Sequence, residues 1–164
     1  MARILLVGGG CRGLALTRSL TAEGHAVRAV TRDPRRREEI EAAGAECWPG
    51  DPDRIGTLRY ALDNVTVLCW FLATATGAPG AVRALHGSRL AMMLERTVDT
   101  TVRGVAYEAQ GRVGSEVLAD GVAQVRHAHE THAVPYRLVE ADPADRDAWL
   151  AAARGAVGGL LGPR

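Results

Sequence analysis

A glycine-rich run near the start of the chain has the spacing of a phosphate-binding loop. Gly8, Gly10 and Gly13 form the string G-x-G-x-x-G, with Cys11 and Arg12 between the last two glycines. A short apolar segment precedes the run, and a pattern typical of an amphipathic helix follows it. This strand–loop–helix context is the one in which the motif binds the pyrophosphate of a dinucleotide.

Each glycine of this loop has its own predicted task. Gly8 permits a tight turn, Gly10 lets the backbone approach the pyrophosphate, and Gly13 lets the helix pack close to the strand. The unpaired N–H groups and the positive dipole end of the helix favour phosphate. We expect Cys11 to fill the loop with a small neutral side chain, and Arg12 to have the reach to turn toward the adenosine phosphate.

The choice of dinucleotide is made at the end of the second strand, about 20 residues after the loop. NAD-binding proteins usually carry a carboxylate there, which accepts hydrogen bonds from the ribose hydroxyls. This chain has Thr31 and Arg32 instead. A guanidinium suits the 2′-phosphate of NADP because it is always charged and binds bidentately, and a hydroxyl can add a further bond. We therefore expect NADP, with NAD as the less favoured cofactor.

The residues that follow are assigned to the surface of the next helix. Asp33 is predicted to cap that helix, and an NAD-type contact to the ribose is its alternative role. Arg35, Arg36 and Arg37 come next, and a glutamate lies four residues after the first and the last of them. This spacing is typical of exposed ion pairs on a helix, so we assign the three arginines to a solvated face.

Candidate reacting groups follow the later strands, because ligands of open α/β sheets bind at the carboxyl ends of the strands. The candidates are the polar side chains Thr74, Thr76, Tyr107, Glu108 and Glu140. Each is also a common residue type in a cap, a turn or the surface, so the catalytic residues stay undecided. Trp70 and Phe71 could flank a planar substrate, but their place in the most apolar strand favours core packing.

Three histidines close together, His127, His129 and His132, look like a metal-binding tract. They lack the H-E-x-x-H spacing, and three rings on one helix would not converge on one ion. We expect His129 and His132 to continue the inward side of the helix near its C-terminus, where an imidazolium is favourably placed. No metal site is predicted.

The elements that must position these residues alternate between strands and helices. Short apolar runs predict six strands, at Ile4–Val7, Ala26–Thr31, Ala45–Trp48, Val65–Leu72, Val102–Tyr107 and Val134–Val139. Strand four is the most apolar and should be central. The alternation predicts an α/β fold with a doubly wound, mostly parallel, six-stranded sheet in the order 3-2-1-4-5-6, which is the Rossmann fold.

Helix positions follow from caps and periodicity. Aspartate can cap a helix and proline fits its first position, so helices are expected at Asp33-Pro34, Asp51-Pro52 and Asp142-Pro143. Residues 73–87 are expected to be irregular, with Ser88 capping the helix after them. A long helix is predicted from Ser115. The last helix is expected to bury Leu150, Ala153, Val157, Leu160 and Leu161.

The bulk composition narrows the partners and the compartment. The 164 residues fit a single dinucleotide-binding domain, 1–164, and a net charge of +1 does not indicate nucleic acid or an anionic membrane as partner. Every basic residue is arginine, so lysine is absent as a base or a phosphate ligand. Three widely spaced cysteines and the lack of a long apolar segment predict a soluble, cytoplasmic protein with reduced thiols.

Four stretches together resemble the atypical short-chain dehydrogenase/reductases, which include members similar to nucleoside-diphosphate-sugar epimerases and to flavin reductases. The stretches are residues 7–13, 27–34, 50–53 and 134–139, and they span most of the chain. The resemblance implies that Asp51 faces the adenine of the cofactor. It also implies that Leu72 and Ala73 lie along the nicotinamide side.

The chain departs from this family at the catalytic residues. The usual pair is Tyr-x-x-x-Lys, in which the lysine lowers the pKa of the tyrosine so that it can act as an acid or base. Here Tyr60, Tyr107 and Tyr136 are followed four residues later by asparagine, glycine and glutamate. No serine lies just after strand five, and we expect no C-terminal substrate subdomain.

Two classes of function therefore stay open. The first is a small NADPH-dependent reductase that passes hydride to a flavin, a quinone or a similar conjugated acceptor, which can take its proton from water. The second is a non-catalytic NADP sensor or a regulatory partner subunit. Fold analogy does not separate them. In either case, a domain this short is expected to need a second subunit, as in a homodimer, or another partner to enclose a substrate.

Overall fold

Six parallel strands form the centre of the molecule. A computed structural model describes residues Met1–Gly162, and in it the strands are hydrogen-bonded in the order β3-β2-β1-β4-β5-β6. Their bounds are β1 Arg3–Gly8, β2 Ala26–Thr31, β3 Glu46–Pro49, β4 Val67–Phe71, β5 Gly104–Glu108 and β6 Tyr136–Val139. The predicted doubly wound α/β fold and its strand order are confirmed.

Helices cover both faces of this sheet, and this explains why the central strands are apolar at successive positions. Ile4 and Leu6 of β1 face one layer, while Leu5 and Val7 face the other. The described helices are α1 Gly10–Ala22, α2 Arg37–Ala42, α3 Pro79–His86, α4 Ser88–Thr97, α5 Ser115–His132 and α6 Arg146–Leu161. Helices α1, α2 and α6 pack on the first face, and α4 and α5 pack on the second.

The connections that follow β2 and β3 contain less α-helix than predicted. Asp33 opens a 3₁₀ turn at Pro34–Arg36 before α2 begins. After Asp51, the chain makes two 3₁₀ turns rather than one helix, at Ile55–Leu58 and Tyr60–Leu62. The Asp51 carboxylate accepts a hydrogen bond from the Asp53 N–H at 2.9 Å, so it closes a local turn instead of capping a helix.

The segment between β4 and α4 was predicted wrongly. Residues 73–87 include α3, which has Pro79 at its first turn and ends at His86. Ser88 is the first residue of α4 and makes no capping hydrogen bond, because Gly87 occupies the cap position. The sequence favours a loop here because Gly77, Pro79 and Gly80 are residue types that usually mark loops, although a proline also fits the first turn of a helix.

The last helix begins later than predicted. Asp142 accepts a hydrogen bond from the Ala144 N–H and closes a turn, whereas Asp145 caps α6 through the Ala148 N–H. Trp149 is 1% exposed and leads the buried side of the helix. The predicted leucines at positions 150, 160 and 161 are only partly buried and pack at the margin of the core.

No helix in the described part of the chain is long and apolar enough to cross a membrane. The free cysteines differ in environment: Cys47 and Cys69 are buried in strands, and Cys11 is exposed at the start of α1.

Candidate functional site

The glycine loop joins β1 to α1 at the centre of the carboxyl edge of the sheet. Gly8 has φ 87°, and a Cβ added there would overlap the carbonyl oxygen of Phe71 in β4. A Cβ on Gly13 would lie 3.0 Å from the Gly8 carbonyl oxygen. Both positions therefore need glycine because β1, α1 and β4 approach each other closely here.

Gly10 lies in the same loop, but it is not packed against other residues as Gly8 and Gly13 are. A Cβ built on Gly10 would meet no atom within 4 Å, so the space beside this residue is open. The Gly10 N–H begins α1, and no side chain in the described part of the chain caps that helix. The open space and the uncapped helix start fit a dinucleotide pyrophosphate, which binds where backbone N–H groups have no partner.

A cavity of about 350 Å³ extends from this loop toward β2 and β4. It lies at the carboxyl ends of the strands, where ligands of doubly wound sheets bind. Five of the residues predicted to contact the cofactor line it: Gly8, Thr31, Arg32, Asp51 and Leu72. The other five predicted residues do not line it: Gly10, Cys11, Arg12, Gly13 and Ala73, of which Ala73 is fully buried. We call this space the dinucleotide cavity.

The charged residues at its β2 end do not share one role. The Arg32 side chain is exposed on the cavity wall and makes no hydrogen bond or ion pair with a described residue. Asp33 accepts hydrogen bonds from the Arg35 backbone N–H and the Arg35 side chain, which lowers the pKa of its carboxyl. The Thr31 hydroxyl accepts from the Asp33 N–H at 3.1 Å and donates to the Asp33 carbonyl.

Asp33 caps the 3₁₀ turn at Pro34–Arg36 and not α2 itself, so its predicted capping role holds only for that turn. The predicted ion pairs after it also change. Arg37 does pair with Glu41 as the spacing predicted. The prediction that Arg35 pairs with Glu39 was wrong: Arg35 pairs with Asp33, and Arg36 takes Glu39. Arg36 also lines the dinucleotide cavity, so it does not belong only to a solvated face.

Arg12 points away from the dinucleotide cavity. Its Nη2 donates to the Glu108 carboxylate at 3.0 Å and to the Thr74 hydroxyl at 3.4 Å, and the guanidinium lies 5.1 Å from the Trp149 ring centre. Glu108 is 0% exposed and also accepts from the Ala73 N–H at 2.9 Å and from Trp149 Nε1 at 2.7 Å. This buried cluster ties α1, β4, β5 and α6 together.

A second buried pair lies beneath the end of β4. The His86 and Tyr107 side chains are both 0% exposed, and His86 Nδ1 is 2.7 Å from the Tyr107 hydroxyl. His86 Nε2 is 3.0 Å from the Leu72 carbonyl, which can only accept, so Nε2 carries the proton and Nδ1 accepts from the phenol. Burial lowers the pKa of His86 and raises that of Tyr107.

The five candidate reacting groups are therefore not brought together. Tyr107 and Glu108 are buried and fully engaged inside the protein. Thr74 lines the dinucleotide cavity, as does the exposed Thr76. Glu140 is exposed after β6 and lines a different, shallower groove.

The histidine run lies on α5 as predicted, but the prediction that His129 and His132 face inward was wrong. His127, His129 and His132 are all exposed. The ring of His129 packs against Tyr136 with 5.7 Å between centroids. No group of three or more potential metal ligands is present in residues 1–162.

The sequence did not predict His86 and Trp149 as members of the buried clusters, and it placed Arg36 on a solvated face and not on the cavity wall. Trp149 precedes two residues of the predicted buried side at helical spacing, Ala153 and Val157, so periodicity alone could have found it. No signal of this kind marks His86, because its partner Tyr107 is distant in sequence. Trp70 and Phe71 are 0% exposed, which confirms their assignment to the core.

Comparisons with known proteins show that solved structures share the fold of this chain. Neither protein-family models nor curated protein sequences match the chain. UDP-glucuronic acid 4-epimerase from Bacillus cereus in complex with NAD is 13% identical with a TM-score of 0.68, over 85% of this chain and 56% of that one. UDP-glucose 4-epimerase from Thermotoga maritima is 12% identical with a TM-score of 0.69, over 83% and 54%.

Triphenylmethane reductase from Citrobacter sp., complexed with NADP(H), is 18% identical with a TM-score of 0.62, over 84% of this chain and 48% of that one. The chain thus spans about half the length of these structures. At identities this low, the TM-scores establish a common fold alone, and that fold is the Rossmann fold.

Proposed function

We propose that this protein binds NADP in the dinucleotide cavity and acts as a small NADPH-dependent reductase. The observation that carries the proposal is the combination of the glycine loop with Arg32 on the wall of the same cavity. The likeness to a reductase complexed with NADP(H) and to an epimerase complexed with NAD supports a nicotinamide dinucleotide as the ligand. The chain is proposed to work as one domain over residues 1–164.

Different residues of the cavity would bind different parts of the cofactor. Gly8 and Gly13 would hold the loop close to β1 and β4, and the open space beside Gly10 would admit the pyrophosphate at the start of α1, where the dipole is favourable. Arg32 would bind the 2′-phosphate, and Arg36, whose charge is balanced by Glu39, would add N–H donors on that wall. Asp51 would face the adenine, and Leu72 would lie along the nicotinamide. When bound, NADPH supplies a hydride donor.

The hydrogen bonds of Asp33, the carboxylate that follows β2, support a preference for NADP. Asp33 is already bound to the Arg35 side chain and backbone, so an NAD-type contact to the ribose hydroxyls would have to displace that pair. The hydroxyl of Thr31 is likewise engaged with the Asp33 backbone, which makes Arg32 the main proposed ligand of the phosphate.

The acceptor is proposed to be a flavin, a quinone or another conjugated ring that needs no proton from the protein. Tyr107 and Glu108, the strongest acid–base candidates by residue type, are both 0% exposed and lie outside the dinucleotide cavity. An acceptor that takes its proton from water fits such a site, since orientation of the two reactants is then the main requirement.

The second candidate function is a non-catalytic NADP sensor or regulatory partner subunit. The same burial of Tyr107 and Glu108 favours it, together with the absence of lysine from the chain. We further propose a cytoplasmic location, membership of the atypical short-chain dehydrogenase/reductases and a homodimer that encloses the acceptor. Light scattering at several protein concentrations would test the dimer.

Cofactor choice is tested by calorimetric titration of NADP⁺ and NAD⁺ into the protein and its Arg32→Gln variant. Loss of one charge-assisted bond pair should weaken NADP⁺ binding roughly tenfold to a hundredfold and leave NAD⁺ binding unchanged. Arg37→Gln is the matched control, because Arg37 is exposed and pairs with Glu41 outside the cavity. Equal affinity for both dinucleotides, or no effect of Arg32→Gln, contradicts the NADP assignment.

Reductase and sensor are separated by following NADPH oxidation with a panel of flavins, quinones and aldehydes. Turnover with a flavin or quinone supports the reductase. If NADPH binds but no acceptor is reduced, the sensor is the better description.

A further inference from the structure

A second cavity adjoins the first at the carboxyl ends of β4, β5 and β6. It has a volume of about 360 Å³ and is lined by Arg12, Thr74, Gly111, Arg112 and the turn 142–144. Thr74 also lines the dinucleotide cavity, so the two spaces meet at this residue. Ligands of doubly wound sheets bind at the carboxyl ends of the strands, and this cavity lies at that edge, beside the space proposed for the nucleotide.

Arg12 is held firmly at this cavity. Its Nη2 is bonded to the buried Glu108 carboxylate, and its guanidinium plane is packed against Trp149. Nη1 makes no hydrogen bond with a described residue, and it is not among the buried polar atoms that lack a partner. A charged N–H donor is thus left accessible on a side chain that loses little freedom on binding a ligand.

Arg112 enters the same cavity from a well-anchored loop. A Cβ on Gly111 would overlap the Ala73 carbonyl, and the Val113 N–H donates to that same oxygen at 2.9 Å. The backbone on both sides of Arg112 is therefore fixed against the end of β4. Its side chain is exposed and makes no ion pair with any residue in the described range.

We propose that this second cavity binds a carboxylate or phosphate group of the reductase's acceptor, an assignment that rests on the proposed function. Arg112 supplies the uncompensated positive charge, and Arg12 supplies oriented N–H donors whose own charge is balanced by Glu108. Asp142 is exposed on the rim and opposes an anion, so it limits the affinity. The acceptor is thus a small conjugated molecule that carries one such anionic group.

The experiment uses ¹⁵N-labelled protein with saturating NADP⁺, titrated separately with sodium benzoate and with inorganic phosphate. Saturable shifts of the Gly111 and Ala144 amide signals are expected. Arg112→Gln should weaken the binding roughly tenfold, as expected for the loss of a charge-assisted hydrogen bond. Asp142→Asn should strengthen it, and Arg103→Gln, an exposed arginine at the opposite edge of the sheet, should leave it unchanged.

The two probes distinguish the sources of the anionic group. Saturation by benzoate alone assigns a carboxylate, and saturation by phosphate alone assigns a phosphate. No saturable shift with either probe, or equal affinity in Arg112→Gln, overturns the proposal. A failure of the proposed function has a different signature, because NADP⁺ would then leave the amide signals of Gly10 and Arg32 unshifted.

Discussion

Replacing Glu108 by glutamine should destabilise the protein strongly, although the side chain changes by a single atom. The carboxylate is fully buried and accepts from the Ala73 N–H, Arg12 Nη2 and Trp149 Nε1. Arg12 and Trp149 both donate to Oε2, and the Ala73 N–H donates to Oε1. A glutamine oxygen can replace only one of these two oxygens, so the NH₂ group must face either the Ala73 N–H or the Arg12 and Trp149 donors, which it cannot satisfy. The guanidinium of Arg12 is then left partly buried without its counter-charge.

The size of the effect follows from this geometry. Removing one partner of a buried ion pair costs about 3–5 kcal/mol, and we expect Glu108→Gln to lose free energy of unfolding in that range. At a urea slope of about 2 kcal/mol per molar, the midpoint of unfolding would fall by roughly 2 M. A domain of this kind has about 5–15 kcal/mol in total, so the variant should fold at low temperature and unfold early on heating.

Urea unfolding followed by far-ultraviolet circular dichroism measures the difference. Glu41→Gln is the matched control, because Glu41 is exposed and its pair with Arg37 should contribute less than about 1 kcal/mol. If Glu108→Gln were no less stable than Glu41→Gln, the buried cluster would not have the role assigned here. A loss of turnover at unchanged stability would instead restore Glu108 as a reacting group.

Three further predictions concern the second buried pair and its surroundings. Gly121→Ala should cost about 1–3 kcal/mol, because the new Cβ would overlap the Tyr107 hydroxyl. Gly155→Ala, in open space on α6, should instead gain about 0.5–1 kcal/mol in the same urea assay, and a gain at both sites would refute the packing argument. Tyr107→Phe should lower the free energy of unfolding by about 1–3 kcal/mol, because His86 Nδ1 loses its hydrogen-bond donor. Any NADPH turnover should persist in this variant. Loss of turnover at unchanged stability would contradict this prediction. Since burial lowers the pKa of His86, the unfolded chain binds its proton at higher pH, so stability should fall as pH drops below about 6.5. The slope of stability against pH should flatten in His86→Gln, and equal slopes in the two proteins would show that His86 does not contribute.

The topology could be predicted because each strand carries its own signal. β2 was placed at Ala26–Thr31, the same bounds as in the structure, since turn residues flank a clear apolar run. The apolar residues of β4 required a position covered on both faces, which the centre of the sheet provides. Helix α3 was missed because glycines and a proline, which usually mark loops, lie in its segment. A helix of eight residues also depends largely on packing in the folded protein.

The candidate site was predictable only in part. The places of Gly8, Thr31 and Arg32 at the carboxyl edge of the sheet could be predicted, because each lies at the end of a strand, and all three line the cavity there. The position of Arg12 depended on Glu108, which lies 96 residues away in sequence. Arg36 has the spacing of a surface residue, and only the fold brings it to the cavity wall.

By itself, the sequence determined the alternation of strands and helices, the strand order and the glycine loop, because these follow from local periodicity and backbone sterics. The tertiary structure alone decided which polar groups are available. Glu108 and Tyr107 look reactive in sequence, but they are buried, and partners from distant elements engage them in the core. Arg32 and Arg112 are exposed on cavity walls and form no ion pair within residues 1–162, so their guanidinium groups stay available to a ligand.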